Sequence, residues 1–135
     1  MSATFRYDPR FDPPAPVVAV AVSAPGAAAW RVVVPALIDS GADCTVLPES
    51  VVAAARLPQV GWLHLAGFGS SAIRVPRHLA FLQVGRRAAS AQVGACGEEA
   101  LLGRDWLNHW RVELDGPGLT LRLTDPPRRR MRQRR

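Results

Sequence analysis

The chain contains no lysine: all seventeen of its basic residues are arginine. Together with the abundance of alanine, that reads as a GC-rich coding bias rather than as selection for arginine chemistry. There are only two cysteines, Cys44 and Cys96, in neither a disulfide-framework spacing nor a metal-type CxxC. Both read as packed thiols in a reducing compartment. No long apolar run is present. Residues 13–30 carry no charge, but Pro13, Pro14, Pro16, Pro25 and Gly26 interrupt them, whereas a spanning helix needs ~20 apolar residues. The N-terminus has no basic region followed by an unbroken apolar core. These absences predict a soluble, cytoplasmic protein without a membrane span. His64, His78 and His109 share no ligand spacing and read as structural or surface residues.

What is present fits one globular domain. The 135 residues suffice for one core, and 48% hydrophobic against 21% charged residues excludes a disordered chain. Twelve prolines and eleven glycines, spread throughout, argue for many short elements and a mostly β fold. The net charge of +6 belongs to the end of the chain. Residues 128–135 carry six arginines, and without them the remaining eleven arginines balance the eleven acidic residues. The expected organisation is an irregular, proline-broken arm over 1–16, a folded domain over 17–124, and a basic disordered tail over 125–135. Weak, nonspecific binding of nucleic acid or anionic surfaces by that tail is one reading, and a merely solvated end is the other.

Within 17–124, period-two alternation places Val18, Val20 and Val22 on one face of a strand. Trp30 to Ile38 is a β-branched run that fits a strand buried on both sides. Thr45 to Leu47 reads as a short strand, and Glu49 to Leu57 as a short helix behind Pro48. Residues 60–66 and 72–75 form the arms of a hairpin with its tip at 67–71. Strands are expected at 79–84 and 89–93, and a second helix at 104–110 with Trp106 and Trp110 one turn apart. Residues 112–114 and 119–123 alternate around Asp115-Gly116-Pro117-Gly118, a hairpin signal. Trp62, Trp106 and Trp110 read as core residues.

The chemistry centres on Ala36-Leu37-Ile38-Asp39-Ser40-Gly41-Ala42-Asp43, which occurs once. An apolar strand runs into a tight turn that presents one carboxylate. Gly41 lets the backbone turn and approach a ligand closely, since no Cβ obstructs it. Taken alone, Asp-Ser-Gly is also ordinary turn composition. The second motif, Leu101-Leu102-Gly103-Arg104-Asp105, changes that weighting. If two Asp39 carboxylates met, they would share one proton, with apparent pKa values belonging to the pair. One would then act as general base on a water while the other, protonated, polarises a carbonyl.

The ordered set Leu37-Ile38-Asp39-Ser40-Gly41-Ala42-Asp43, Leu65-Ala66-Gly67-Phe68-Gly69 and Leu101-Leu102-Gly103-Arg104-Asp105 resembles the retropepsin-like aspartic proteases, single-domain relatives of pepsin in retroviruses and bacteria. The resemblance spans roughly residues 17–124. It implies a mostly β, closed-barrel-like fold with one or two short helices, acting as a homodimer on extended peptides, with Asp39 as catalytic residue and no cofactor. It makes Ser40, Gly41, Leu102 and Gly103 supports of the catalytic loop, Ser40 linking the two loops across the dimer. Substrate contacts fall to Gly41, Ala42, Asp43, Gly67, Phe68, Gly69 and Leu101, and Asp43 pairs with Arg104. The dimer sheet is expected from parts of residues 5–16 and 119–124. Glu98 and Glu99 read as a solvated turn, the alternative being a preference for basic peptides.

Two rival functions follow from the same residues. One is a catalytically silent version of the fold that serves as a dimerisation or peptide-binding module. The other is a nucleic-acid-associated protein acting through its tail. Ser70 and Ser71 have no nucleophile-elbow context, and Cys44 has no partnered histidine in sequence.

Overall fold

Alternation of small or apolar with polar residues in Ser2–Arg6 makes the first segment a strand, β1, rather than part of an irregular arm. In the computed structural model, which describes residues 1–67, 69 and 71–128, Ala3 and Phe5 turn inward while Ser2, Thr4 and Arg6 face solvent. The prolines act only downstream. After Tyr7 the chain loops through an isolated bridge between Asp8 and Ala15, and Arg10 grips Asp8 through Nε and Nη2 at 2.8–3.2 Å.

The main body is a seven-stranded sheet of β2 (Val17–Ala24), β3 (Ala27–Ile38), β4 (Val46–Leu47), β5 (Gln59–Leu65), β6 (Ile73–Val84), β7 (Arg87–Ala95) and β8 (Ala100–Leu102). Its order is β2-β3-β8-β4-β7-β6-β5. Because β6 also pairs with β2, through Ala21↔Gln83 to Ser23↔Phe81, six strands close into a ring with β5 on its outside. The fold is thus mostly β and barrel-like. Two short helices, α1 (Glu49–Ala54) and α2 (Arg104–Leu107), complete it among the described residues. Pro48 stands just before α1 as its cap residue, and α2 is shorter than the tryptophan spacing predicts. β6 runs unbroken through Pro76, joining what the sequence reads as two strands.

β9 (Arg111–Asp115) and β10 (Thr120–Thr124) form the expected hairpin. β1 lies antiparallel on β10, from Ser2↔Thr124 to Arg6↔Thr120, giving a separate sheet of order β1-β10-β9. Asp125 belongs to the body rather than to a tail. Its backbone N–H donates to the Met1 carbonyl at 3.0 Å, and its carboxylate meets Arg87 Nε at 2.9 Å. Most of the arginine-rich tail, residues 129–135, lies outside the described residues, as do Phe68 and Ser70.

The core gathers Val18, Val20, Val22, Leu47, Leu82, Val93, Leu102 and Trp106, each at most 3% exposed. Each such burial stabilises by roughly 1.5–3 kcal/mol. Trp106 also donates its indole N–H to the Leu82 carbonyl at 3.0 Å and packs against Trp110. β3 corrects the expectation of a strand buried on both faces. Only Ala36–Ile38 pairs with β8, so the strand's first part is an outer edge with Trp30 46% and Val33 61% exposed. Pro35 fits there because an edge position needs no donated hydrogen bond. No described helix is long and apolar enough to cross a membrane.

Candidate active site

β3 and β8 lie parallel at the barrel floor, with Ala36, Leu37 and Ile38 opposite Ala100, Leu101 and Leu102. This register brings the two sequence motifs together. Where β3 ends, Asp39 N–H donates to the Leu102 carbonyl at 3.0 Å, and the chain turns back through an Ala42 N–H···O=C Asp39 bond of 3.2 Å. The Gly41 N–H donates to Asp39 Oδ1 at 2.9 Å, an Asx turn that fixes the carboxylate. A Cβ on residue 41 would stand 3.2 Å from that oxygen, so glycine is favoured here by space.

Arg104 ties the loop to α2. Its Nη1 donates to the Ser40 carbonyl at 2.8 Å, its Nη2 to Asp43 Oδ1 at 2.6 Å, and its backbone N–H to the Ala42 carbonyl at 2.9 Å. One planar fork thus spans both ends of the turn, geometry that a lysine lacks. With Asp43 90% exposed, the pair orients the loop more than it stabilises the fold.

Beneath the loop sits a polar pair to which sequence reading gave no role. Thr45, fully buried, donates its hydroxyl to Asp105 Oδ1 at 2.7 Å and accepts from Gly103 N–H at 3.1 Å. Thr45 N–H donates to Asp105 Oδ2 at 2.9 Å. Gly103 has ordinary extended torsions, but a Cβ there would lie 2.5 Å from the Cys44 carbonyl carbon. It is glycine for close backbone approach. The available signal was a lone threonine leading an apolar strand, and a carboxylate in the first turn of a helix that begins at glycine.

A cleft of about 600 Å³ opens over Asp39. Gly41, Ala42, Asp43, Cys44 and Val46 line one side, Leu101 contributes, and Leu63 to Gly67 of the β5–β6 hairpin form the other wall. Leu63 and Leu65 rest on Gly94 of β7, close to where a Cβ would stand. His64 and Cys44, set aside in the sequence reading, therefore both face the cleft. The Cys44 thiol is pushed up from its ordinary pKa, first by burial and then by Asp105 and Asp43, so it is no activated nucleophile.

Other site residues fall as follows. Leu102 and Gly103 are buried under the loop, Ser40 is exposed beside it, and Gly69 occupies the hairpin tip at φ +72° without lining the cleft. Phe68 lies outside the described residues. Glu98 and Glu99 line a separate groove with Phe11 and Val51, so they are not brought to Asp39. Trp62, expected in the core, is 48% exposed and lies beneath Arg74. Among the described residues no cluster of histidine, cysteine and acidic side chains has a metal-binding arrangement.

No family model and no curated protein sequence matches the chain. Solved structures do. An EIAV protease complexed with the inhibitor HBY-793 superposes with a TM-score of 0.55 at 18% identity, over 70% of this chain and 86% of that one. A retropepsin-like aspartic protease from Rickettsia conorii gives 0.58 at 12% identity, over 91% and 90%. A foamy viral protease–reverse transcriptase bound to an RNA/DNA hybrid gives 0.50 at 14%, over 73% of this chain but 13% of that one. These likenesses establish the fold, which is that of the retropepsin-like aspartic proteases.

Proposed function

We propose that the protein is an aspartic endopeptidase whose active site is completed by a second copy of the chain. The observation that carries this reading is Asp39, pinned by Gly41 N–H at the end of β3 and opening into a cleft between floor and hairpin. One carboxylate per chain leaves the site half built. Two, face to face, cannot both ionise, so the pair holds one proton. The ionised member takes a proton from a water as it attacks the scissile carbonyl, and the protonated member donates a hydrogen bond to the carbonyl oxygen; when the tetrahedral adduct collapses, the C–N bond breaks and the proton taken from the water passes to the leaving amine.

The chain's other residues take roles by position. The Ser40 hydroxyl links the two loops, Leu102 and Gly103 support them, and the Arg104–Asp43 pair fixes their outer end. An extended peptide lies along Gly41, Ala42 and Asp43 like an added strand, with Leu101 walling a side-chain pocket and Gly67 and Gly69 closing over it. The protein would work in the cytoplasm, on a peptide or protein substrate.

Asp39→Asn tests the reading. The variant should fold and dimerise as the parent does, while cleavage of a peptide library between roughly pH 4 and 7 falls to background. A parent protein that dimerises but cleaves no library peptide would instead be a peptide-binding module. Cleavage retained in the variant would remove Asp39 from the chemistry.

A further inference from the structure

A groove of about 380 Å³ runs beside β3 and shares no lining residue with the Asp39 cleft. β8 meets β3 only from Ala36 onward, so Val34 and Pro35 have no strand on that side. Phe11 of the Asp8–Ala15 loop and Val51 of α1 join them to give an apolar lining, and Phe11 is 44% exposed. Glu98 and Glu99, both exposed, complete the wall. We infer that this groove seats the chain's own arginine-rich end, residues 128–135, with Met131 on the apolar lining and arginines against the surrounding acids.

The distribution of unpaired charge favours this occupant. Seven of the eleven acidic residues hold a hydrogen bond or an ion pair: Asp8, Asp39, Asp43, Asp105, Glu113, Asp115 and Asp125. Asp12, Glu49, Glu98 and Glu99 have no such partner among the described residues. All four lie in or next to this groove. Glu98 and Glu99 line it, Asp12 follows the lining Phe11 in the chain, and Glu49 stands between the lining Pro48 and Ser50 while also bordering a neighbouring groove. Arg10, the one cation on the lining, is committed to Asp8 at 2.8–3.2 Å. The complement is a segment with six arginines and one apolar residue, Met131. An apolar floor with a polar rim is the usual anatomy of a docking surface.

The chain is long enough to reach. Asp125 is bonded to Met1, and Asp8 lies seven residues further along from Met1. At ~3.4 Å per residue that separation is at most roughly 24 Å. The ten residues 126–135 extend over about 33 Å. Single exposed ion pairs are weak, but a tether of this length gives an effective concentration on the order of millimolar, so several weak contacts suffice. A second copy's tail or a basic segment of another protein has no such advantage.

The absence of lysine makes the test clean. In full-length Gln133→Lys protein the new side chain is the one lysine amine, and a carbodiimide joins it only to a carboxylate in contact. At about 0.15 M salt, mass spectrometry should find the amide on Glu98 or Glu99. In a mixture of ¹⁴N and ¹⁵N chains it should link residues of the same isotope. Coupling mainly to Glu113 or Asp115, or mainly between isotopes, overturns the proposal. Glu98→Gln combined with Glu99→Gln changes two exposed residues and should speed tryptic cleavage within residues 128–135 at least about fivefold, since cleavage follows the open population. An unchanged rate also overturns it. Both measurements should read the same in the Asp39→Asn background, so neither depends on the protease reading.

Discussion

The floor and the roof of the Asp39 cleft are built on opposite terms. In the floor, the Thr45 hydroxyl, the Asp105 carboxylate, Gly103 N–H and the Arg104 fork bond to one another or to the loop, under cover of Leu102 and Trp106. The roof is the β5–β6 hairpin, attached along one edge of β6, with Val60, Trp62 and Ile73 each more than 40% exposed. Its outer face is held by an Arg74–Trp62 stack at 4.1 Å. Floors of this kind stay put, whereas elements with few buried contacts open at low cost. The cleft thus has one wall of each sort.

The same substitution made in both walls is the sharpest way to break that comparison. Gly103→Ala forces a Cβ to within 2.5 Å of backbone, which should cost about 3 kcal/mol and lower Tm by about 10 °C. Gly69→Ala, with nothing within 4 Å but φ at +72°, should cost about 1 kcal/mol. Calorimetry on both variants measures the contrast, and equal shifts would mean that floor and roof unfold alike.

A smaller effect should follow from Thr45→Val, which keeps shape and removes the hydroxyl. Gly103 N–H then loses its acceptor and Asp105 a donor, at a cost of about 2 kcal/mol. Chemical denaturation should show a lower midpoint with an unchanged slope.

The smallest effect concerns the seam between roof and barrel. His78, opposite Gln59 of the hairpin and Val93 of the barrel, has its pKa lowered by burial. The unfolded chain therefore binds a proton more readily, so stability is lost as pH falls through the ordinary histidine range near about 6.5. His78→Asn should flatten the dependence of Tm on pH between roughly pH 7 and 5, by a degree or two at most.

Legibility in the sequence divided along similar lines. The strand into Asp39, the hairpin and the mostly β architecture were readable, because each rests on local periodicity or turn chemistry, whereas the pairing of the two motifs was implied only by the resemblance to a known family. What escaped depends on partners distant in sequence. Trp30 to Ile38 reads as buried on both sides because it is almost wholly apolar, yet only its last residues reach the core, and Trp30 and Val33 stay exposed. β1 was lost among prolines that start only at Pro9. Thr45 and Asp105 are ordinary residue types, and their meaning appears only when β4 and α2 meet. Trp62 looks like core by composition, and an arginine across the hairpin supplies its cover instead.

The register of β1 on β10 has a consequence in time as well as in space. Ser2 finds Thr124 and Arg6 finds Thr120, so this sheet joins segments separated by almost the whole described chain. Such contacts have the highest closure entropy and the slowest formation. During synthesis, β1 must wait for residues 120–124 to emerge. The barrel and its Asp39 loop, whose pairings span shorter stretches, can form first. The small β1-β10-β9 sheet is then finished last, against a body that is already built.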